Sequence, residues 1–299
     1  MSKRHLALLA AFSASFIYGV NHTLAKDLMP TYIQAYGFIM LRVLGAAVLF
    51  WLTSLFVPSQ KIERKDYWRM LACALTGMTL NMLMFFKGLE LSTPINSSVV
   101  ITVAPVILLI LSAIFLKEKI TLLKGSGIAL GLVGALVLIL FGVKTQNNAP
   151  NIPLGNSLFL VNATAYSIYL ILVKPLTAKY SSITLMKWFF LIAVFTNAPI
   201  GLSQFMEVQW SSLPVNVIGV MAFVVIGTTY LTYLFNVFAL RTLKPSTIGV
   251  FIYLQPLLGT LIAILLGADT LTATRVLGAT LIFAGVYFTT KRKREPSNN

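Results

Sequence analysis

The sequence predicts an all-α membrane protein with about ten transmembrane helices, built as two inverted five-helix repeats. Three observations predict it. The 299 residues are 58% apolar before glycine is counted and only 10% charged, where a soluble domain is about 45–50% apolar with glycine included and about 25% charged. Apolar runs of about 20 residues recur from end to end, each long enough to cross a hydrocarbon layer of about 30 Å. The two halves of the chain match each other at a constant offset. This composition excludes an ordinary cytosolic enzyme, a disordered chain and a collagen-like fibre, because so much apolar surface cannot be hidden in a chain of this length.

The runs fall at 6–26, 34–57, 68–88, 93–116, 123–143, 154–173, 183–206, 215–236, 245–266 and 271–290. They do not show the ten-residue alternation of outer-membrane barrel strands. The first follows Lys3 and Arg4 and so imitates a signal peptide. It continues past Ala14 to Lys26 without a clean cleavage site, and nine more runs follow, so it is read as the first span. The fourth carries Pro94 and Pro105 and is read as kinked rather than split. The longest connection, 144–153, reads as the joint between a first repeat at 1–147 and a second at 148–299.

Charge sets the orientation. Of the 23 Lys and Arg, 18 fall on one side of the spans, four (Lys26, Lys87, Lys144 and Arg275) fall on the other, and Arg42 lies within a span. The positive-inside rule places the rich side in the cytoplasm, with both termini there and the chain in the cell (inner) membrane. The tail Lys291–Arg294 is expected to favour anionic lipid headgroups. The net charge of +15 does not form a basic face with interleaved aromatics, so nucleic acid is not an expected partner. Cys73 is alone and reads as a packing residue. Two histidines and the absence of zinc-type spacing give no metal site, and no cofactor is expected.

At an offset of 151, Pro94 meets Pro245, Pro105 meets Pro256, Glu118 meets Asp269, Gly127 meets Gly278 and Gly134 meets Gly285. Ile17 and Tyr18 meet Ile168 and Tyr169. At 150, Gly77 and Thr79 meet Gly227 and Thr229. Five spans per half is an odd number, so the second half enters the membrane upside down. Inverted repeats are the architecture of many secondary transporters.

The first half reads Tyr18-Gly19-Val20-Asn21, then Lys26 and Leu41-Arg42, then Pro105, Glu118-Lys119, Thr121, Gly127 and Gly134; the second repeats the frame Pro256, Gly278, Gly285. Across its whole length the chain resembles an EamA-type carrier of the drug/metabolite transporter superfamily. The resemblance implies ten spans and the movement of small metabolites, amino acids among them. Where the family has Glu-Lys, the second half has Asp269-Thr270, which breaks the symmetry at that helix end.

Pro105 and Pro256 read either as helix kinks beside a central cavity, where freed carbonyls meet a polar ligand, or as packing kinks. Gly127, Gly131 and Gly134, with Gly278 and Gly285, read as close helix contacts within the monomer, with a dimer face as the alternative. Glu118 is expected near water, paired with Lys119 or Lys117, in a structural role or as a gating pair. All eight acids lie at span ends or in loops, which disfavours a carboxylate proton relay. Arg42 is expected to face the interior as a charge anchor or gate member, with Lys26 and His22 as further gate candidates. The plainer reading, a solvated rim charge for Lys26 and a packed, hydrogen-bonded histidine for His22, is the favoured one for both. The substrate path is expected to use Asn21, Asn81, Tyr169, Tyr230, Tyr253 and Gln255.

The function expected is a membrane transporter of small organic metabolites working by alternating access about a midplane site, as a monomer or dimer. No catalytic residue is expected: an intramembrane enzyme is the weaker alternative, because the sequence has no His-Glu-x-x-His, no Gly-x-Ser-x-Gly, no cysteine–histidine pairing and no mid-span carboxylate pair. A receptor or scaffold is the other alternative, and it has no need of two inverted halves.

Overall fold

The computed structural model describes residues 2–24, 28–29, 31–58, 60–92, 97, 100–142, 150–265 and 273–290. Among these residues there are helices and turns and no strand. The first half contains α1 (Lys3–Leu24), α2 (Ala35–Ser54), α3 (Arg64–Leu91), α4 (Ala104–Phe115) and α5 (Leu122–Gly142). The second contains α6 (Ile152–Leu176), α7 (Ser182–Met206), α8 (Val215–Leu240), α9 (residues 245–265) and α10 (Ala273–Thr290). Five of them (α2, α3, α6, α7 and α8) are long and apolar enough to cross a membrane. Ala104–Phe115 of α4, Leu122–Val137 of α5 and Val276–Thr290 of α10 are further apolar helical stretches.

Local chemistry sets the helix ends. Asn151 caps α6 by accepting from Leu154 N at 3.2 Å, and Ser181 caps α7 by accepting from Thr184 N at 3.1 Å. Helix α2 has no cap of its own. Gln204 of α7 supplies one, its Oε1 accepting from Tyr36 N at 2.9 Å and Gly37 N at 3.0 Å. After α4, Lys117 takes a positive φ of 53°, and both Leu116 N and Glu118 N return to Ser112 O. That reversal ends the helix and turns Glu118 inward, where only 6% of it is exposed.

The most extensive helix pairs are α5 with α10 and α2 with α7. The first is a glycine crossing. A Cβ on Gly127 would lie 2.8 Å from Gly285 O, and one on Gly134 would lie 2.7 Å from Gly278 O. The small residues foreseen as close-contact points therefore meet inside one chain. Helix α1 packs on α8 and α9, and α6 packs on α3 and α4, so each half lends its first helix to the other. Cys73 is fully buried on α3.

Neither proline kinks the middle of a continuous α-helix. Residues 102–103 form a turn, and Pro105 sits in the first turn of α4. In α9 the segments Pro245–Val250 and Leu254–Leu265 are joined by a tighter 3₁₀ turn, Phe251–Tyr253, and Pro256 is the third residue of the second segment. A proline is tolerated in a first turn because its missing N–H has no intrahelical acceptor there. The two prolines thus mark the same joint in each half.

Candidate functional site

Two helices widen near their middles. In α3 the segment Leu75–Leu80 is π-helical, and in α8 the segment Val224–Leu231 is. A π turn holds an extra residue and loosens the backbone ladder, so carbonyls and side chains become available to other partners. Gly77 with Thr79 and Gly227 with Thr229 occupy matching places in the two turns. A Cβ on Gly77 would stand 2.6 Å from the Tyr169 ring, so only glycine lets α6 press this closely. The Gly77 carbonyl accepts the Tyr233 hydroxyl at 3.0 Å, a bond from α8 into the widened turn of α3.

Arg42 reaches the α8 turn from α2. Its Nε donates to Thr229 Oγ1 at 2.9 Å, and the Thr229 hydroxyl in turn donates to Val224 O at 2.9 Å. The guanidinium carbon lies 5.5 Å from the centre of the Phe86 ring and 6.0 Å from that of Phe38. Arg42 is 8% exposed. Among the described residues no carboxylate pairs with it. Among the described residues the partners of the matching threonine in α3 are neutral: Thr79 Oγ1 lies 2.6 Å from Thr196 Oγ1, and Asn197 Nδ2 donates to Thr79 at 3.4 Å.

An aromatic column runs beside both turns. Tyr230 lies 4.5 Å from Phe50, Phe50 stacks on Phe190 at 5.3 Å, and Phe190 meets Tyr233 edge-on at 5.3 Å. Tyr233 continues to Tyr169 at 6.4 Å and Tyr169 to Tyr166 at 5.9 Å. Asn236 Nδ2 donates to the Tyr166 hydroxyl at 3.3 Å.

The sequence matches the EamA-like transporter family over residues 5–140 and again over 153–291. The chain belongs to that family. A transporter of Archaeoglobus fulgidus is 28% identical over 290 residues, covering 96% of this chain and 98% of the relative. The Bacillus subtilis transporter YyaM is 25% identical over 224 residues, 72% of this chain and 70% of its own. One solved crystal structure superposes with a TM-score of 0.79 at 17% identity, covering 95% of this chain and 96% of that one, which shows a shared fold. The protein is a multi-pass membrane transporter, and its relatives' names fit a non-enzymatic role.

In this EamA transporter the residues singled out from sequence occupy three places. Tyr169 and Tyr230 lie in the aromatic column with Arg42 nearby on α2. Asn81 forms a reciprocal pair with Asn162 of α6: Asn81 Nδ2 donates to Asn162 O at 3.3 Å and Asn162 Nδ2 to Asn81 O at 2.7 Å. Tyr253 and Gln255 lie apart from the column, on α9 where it crosses α1 and α5; Tyr253 is fully buried against Gly131. Tyr169 and Tyr253 bury their hydroxyls without a hydrogen-bond partner among the described residues. Lys26 and the side chains of Asn21 and His22 lie outside the described residues, as does Asp269.

Sequence reasoning missed Thr196, Asn197, Phe38 and Phe86. Thr79 and Thr229 carried a signal, since they matched between repeats, but nothing in one sequence tells a π turn from an α turn. Two polar clusters at the basic-rich end were also unforeseen in detail. Glu118 pairs with Lys124 and accepts from Ser246 Oγ of α9 rather than pairing with Lys117 or Lys119. Lys117 and Lys119 are exposed on either side of the buried Glu118. Asp66 at the start of α3 accepts from Lys179 Nζ and from the Tyr180 hydroxyl, both at 2.8 Å, on the α6–α7 connection. Burial raises the Tyr180 phenol above its ordinary range and keeps it a neutral donor.

Proposed function

We propose that the protein is a secondary carrier moving small organic metabolites, amino acids among them, by alternating access between two inverted five-helix halves. The observation that carries this reading is the pair of π turns, 150 residues apart in sequence and set mid-helix in α3 and α8. Each is packed by the first helix of the opposite half. A widened turn is a place where a helix changes register at low cost, and two of them in matching positions let either half bend about a shared centre. The double family match and the exchange of α1 and α6 support the same reading.

The substrate path follows the aromatic column from Tyr230 to Tyr169, with Arg42 as its charge anchor. Asn81, paired with Asn162, is assigned to its margin, Tyr253 and Gln255 to the separate α9 crossing, Asn21 to a further solute contact, and His22 and Lys26 to the gate. The Pro105 and Pro256 joints flank it. The basic-rich end faces the cytoplasm of the cell membrane, where the tail meets anionic lipid, and it is held shut by the Glu118 and Asp66 clusters. The path serves equally well in a monomer or a dimer.

The test is flux. Purified protein in liposomes, screened by competition against a broad solute panel with and without a pH gradient, is expected to exchange at least one solute class. A protein that binds solutes and moves none is a receptor, and the carrier reading then fails. A reporter fused after Asn299 is expected to read out on the cytoplasmic side; an extracytoplasmic readout overturns the orientation.

A further inference from the structure

Arg42 is a buried cation whose recorded partners are all neutral. A guanidinium offers five N–H donors. Here Nε has an acceptor, Thr229, and two ring faces flank the carbon, while the other N–H groups have no acceptor among the described residues. The remaining described acids are committed elsewhere or distant: Glu63 and Asp66 to lysines, Glu90 to Lys87, Glu118 to Lys124, and Glu207 at the end of α7. An intramembrane charge is costly, so it is retained where a partner arrives. Thr229 holds the Nε side of the fork, and the rings of Phe38 and Phe86 lie beside its carbon. What is left is the terminal pair of donors, without an acceptor among the described residues.

We infer that Arg42 is the docking point for the carboxylate of the transported solute. The inference rests on the carrier reading and names its substrate class. A guanidinium edge matches a carboxylate with two parallel hydrogen bonds. Charge sets the number: one cation neutralises one anionic charge, whereas a phosphate dianion leaves an uncompensated negative charge in a low-dielectric site. An organic cation is repelled. The rings of Phe38 and Phe86 beside the guanidinium suit an apolar or aromatic body on that carboxylate. Thr229 is a positioning residue, because it holds the guanidinium while touching no solute itself.

The experiment uses the full chain in nanodiscs and four probes of one shape: phenylacetate, phenylacetamide, phenethylamine and phenyl phosphate. Phenylacetate is expected to raise the melting temperature and the other three to leave it unchanged. Arg42→Gln is expected to weaken phenylacetate about 100-fold, the scale of truncating one member of a buried charge pair. Arg42→Lys keeps the charge without the fork and is expected to fall between. Thr229→Val keeps Arg42 and is expected to weaken phenylacetate several-fold, so the inference stays testable if Arg42→Gln does not fold. Equal stabilisation by phenylacetamide, preferred binding of the amine or the phosphate, no response to any probe, or unchanged affinity in Arg42→Gln each overturns it. So does an energetic coupling between Asp27→Asn and Arg42→Gln in melting temperature without solute, because Asp27 is then the partner. A protein that moves neutral or cationic solutes in liposomes keeps the carrier reading and loses this inference; one that moves none loses the carrier reading itself.

Discussion

The π turns of α3 and α8 share position, glycine and threonine, yet they are wired differently. In α8, Thr229 accepts from a guanidinium. In α3, Thr79 meets a hydroxyl and an amide, Thr196 and Asn197. The backbone device is duplicated and the charge is not. The duplicated part suits a motion that both halves perform, while the unduplicated part suits recognition, which needs a single polarity. The largest break in this comparison comes from exchanging partners. Arg42→Gln is expected to lower flux at least about tenfold, since a charged hydrogen-bonding group is worth about 1.5–3 kcal/mol. Asn197→Ala removes only neutral bonds of about 0.5–1.5 kcal/mol and is expected to cost flux a few-fold. Equal losses in liposome flux would mean that the two turns do the same work.

The glycines sharpen the same comparison at smaller scale. A Cβ at Gly77 strikes the Tyr169 ring at 2.6 Å, whereas one at Gly227 meets Ile17 and Phe223 side-chain atoms at 3.2 Å. Tyr169 is fully buried and has no room to retreat. Gly77→Ala is therefore expected to cost about 1–3 kcal/mol as an overpacked site. Gly227→Ala is expected to stay nearly neutral, and melting temperatures in detergent check both. A tolerated Gly77→Ala would show that α6 slides freely over α3.

The helical membrane fold was legible in the sequence, because hydropathy and length are summed over about 20 residues and survive local exceptions. The interior position of Arg42 was legible for the opposite reason: one cation in an apolar run is itself the local exception and stands out. The π turns were not, since Leu75–Leu80 and Val224–Leu231 contain residues that an α-helix accepts equally well. The inward turn of Glu118 was not either, because it depends on a positive φ at Lys117, a residue type that carries no such signal. Tyr253 and Gln255 were grouped with Tyr169 by polarity alone. Helix placement separates them, and no spacing rule within one helix reports which neighbour a different helix will meet.

The smallest expected effect separates the two clusters at the basic-rich end. Glu118 is 6% exposed and joins α4 to Ser246 of α9, so Glu118→Gln should loosen a buried cross-half contact. Asp66 is also buried, but its cation is not: the Lys179 side chain keeps 37% of its exposure. Tyr180 continues to hold Asp66 when Lys179 is removed. Lys179→Met is therefore expected to change stability by about 0.2–1 kcal/mol, the range of half-solvated pairs. Cys73 provides the readout, being fully buried on α3 just before the π turn. A closed basic-rich end keeps it from thiol reagents, and opening should raise its labelling rate. Glu118→Gln is expected to raise that rate several-fold and Lys179→Met to leave it within about twofold of the parent. If Lys179→Met labels as fast as Glu118→Gln, the rim pair governs opening, and the buried Glu118 contact is a packing feature of α4 and α9.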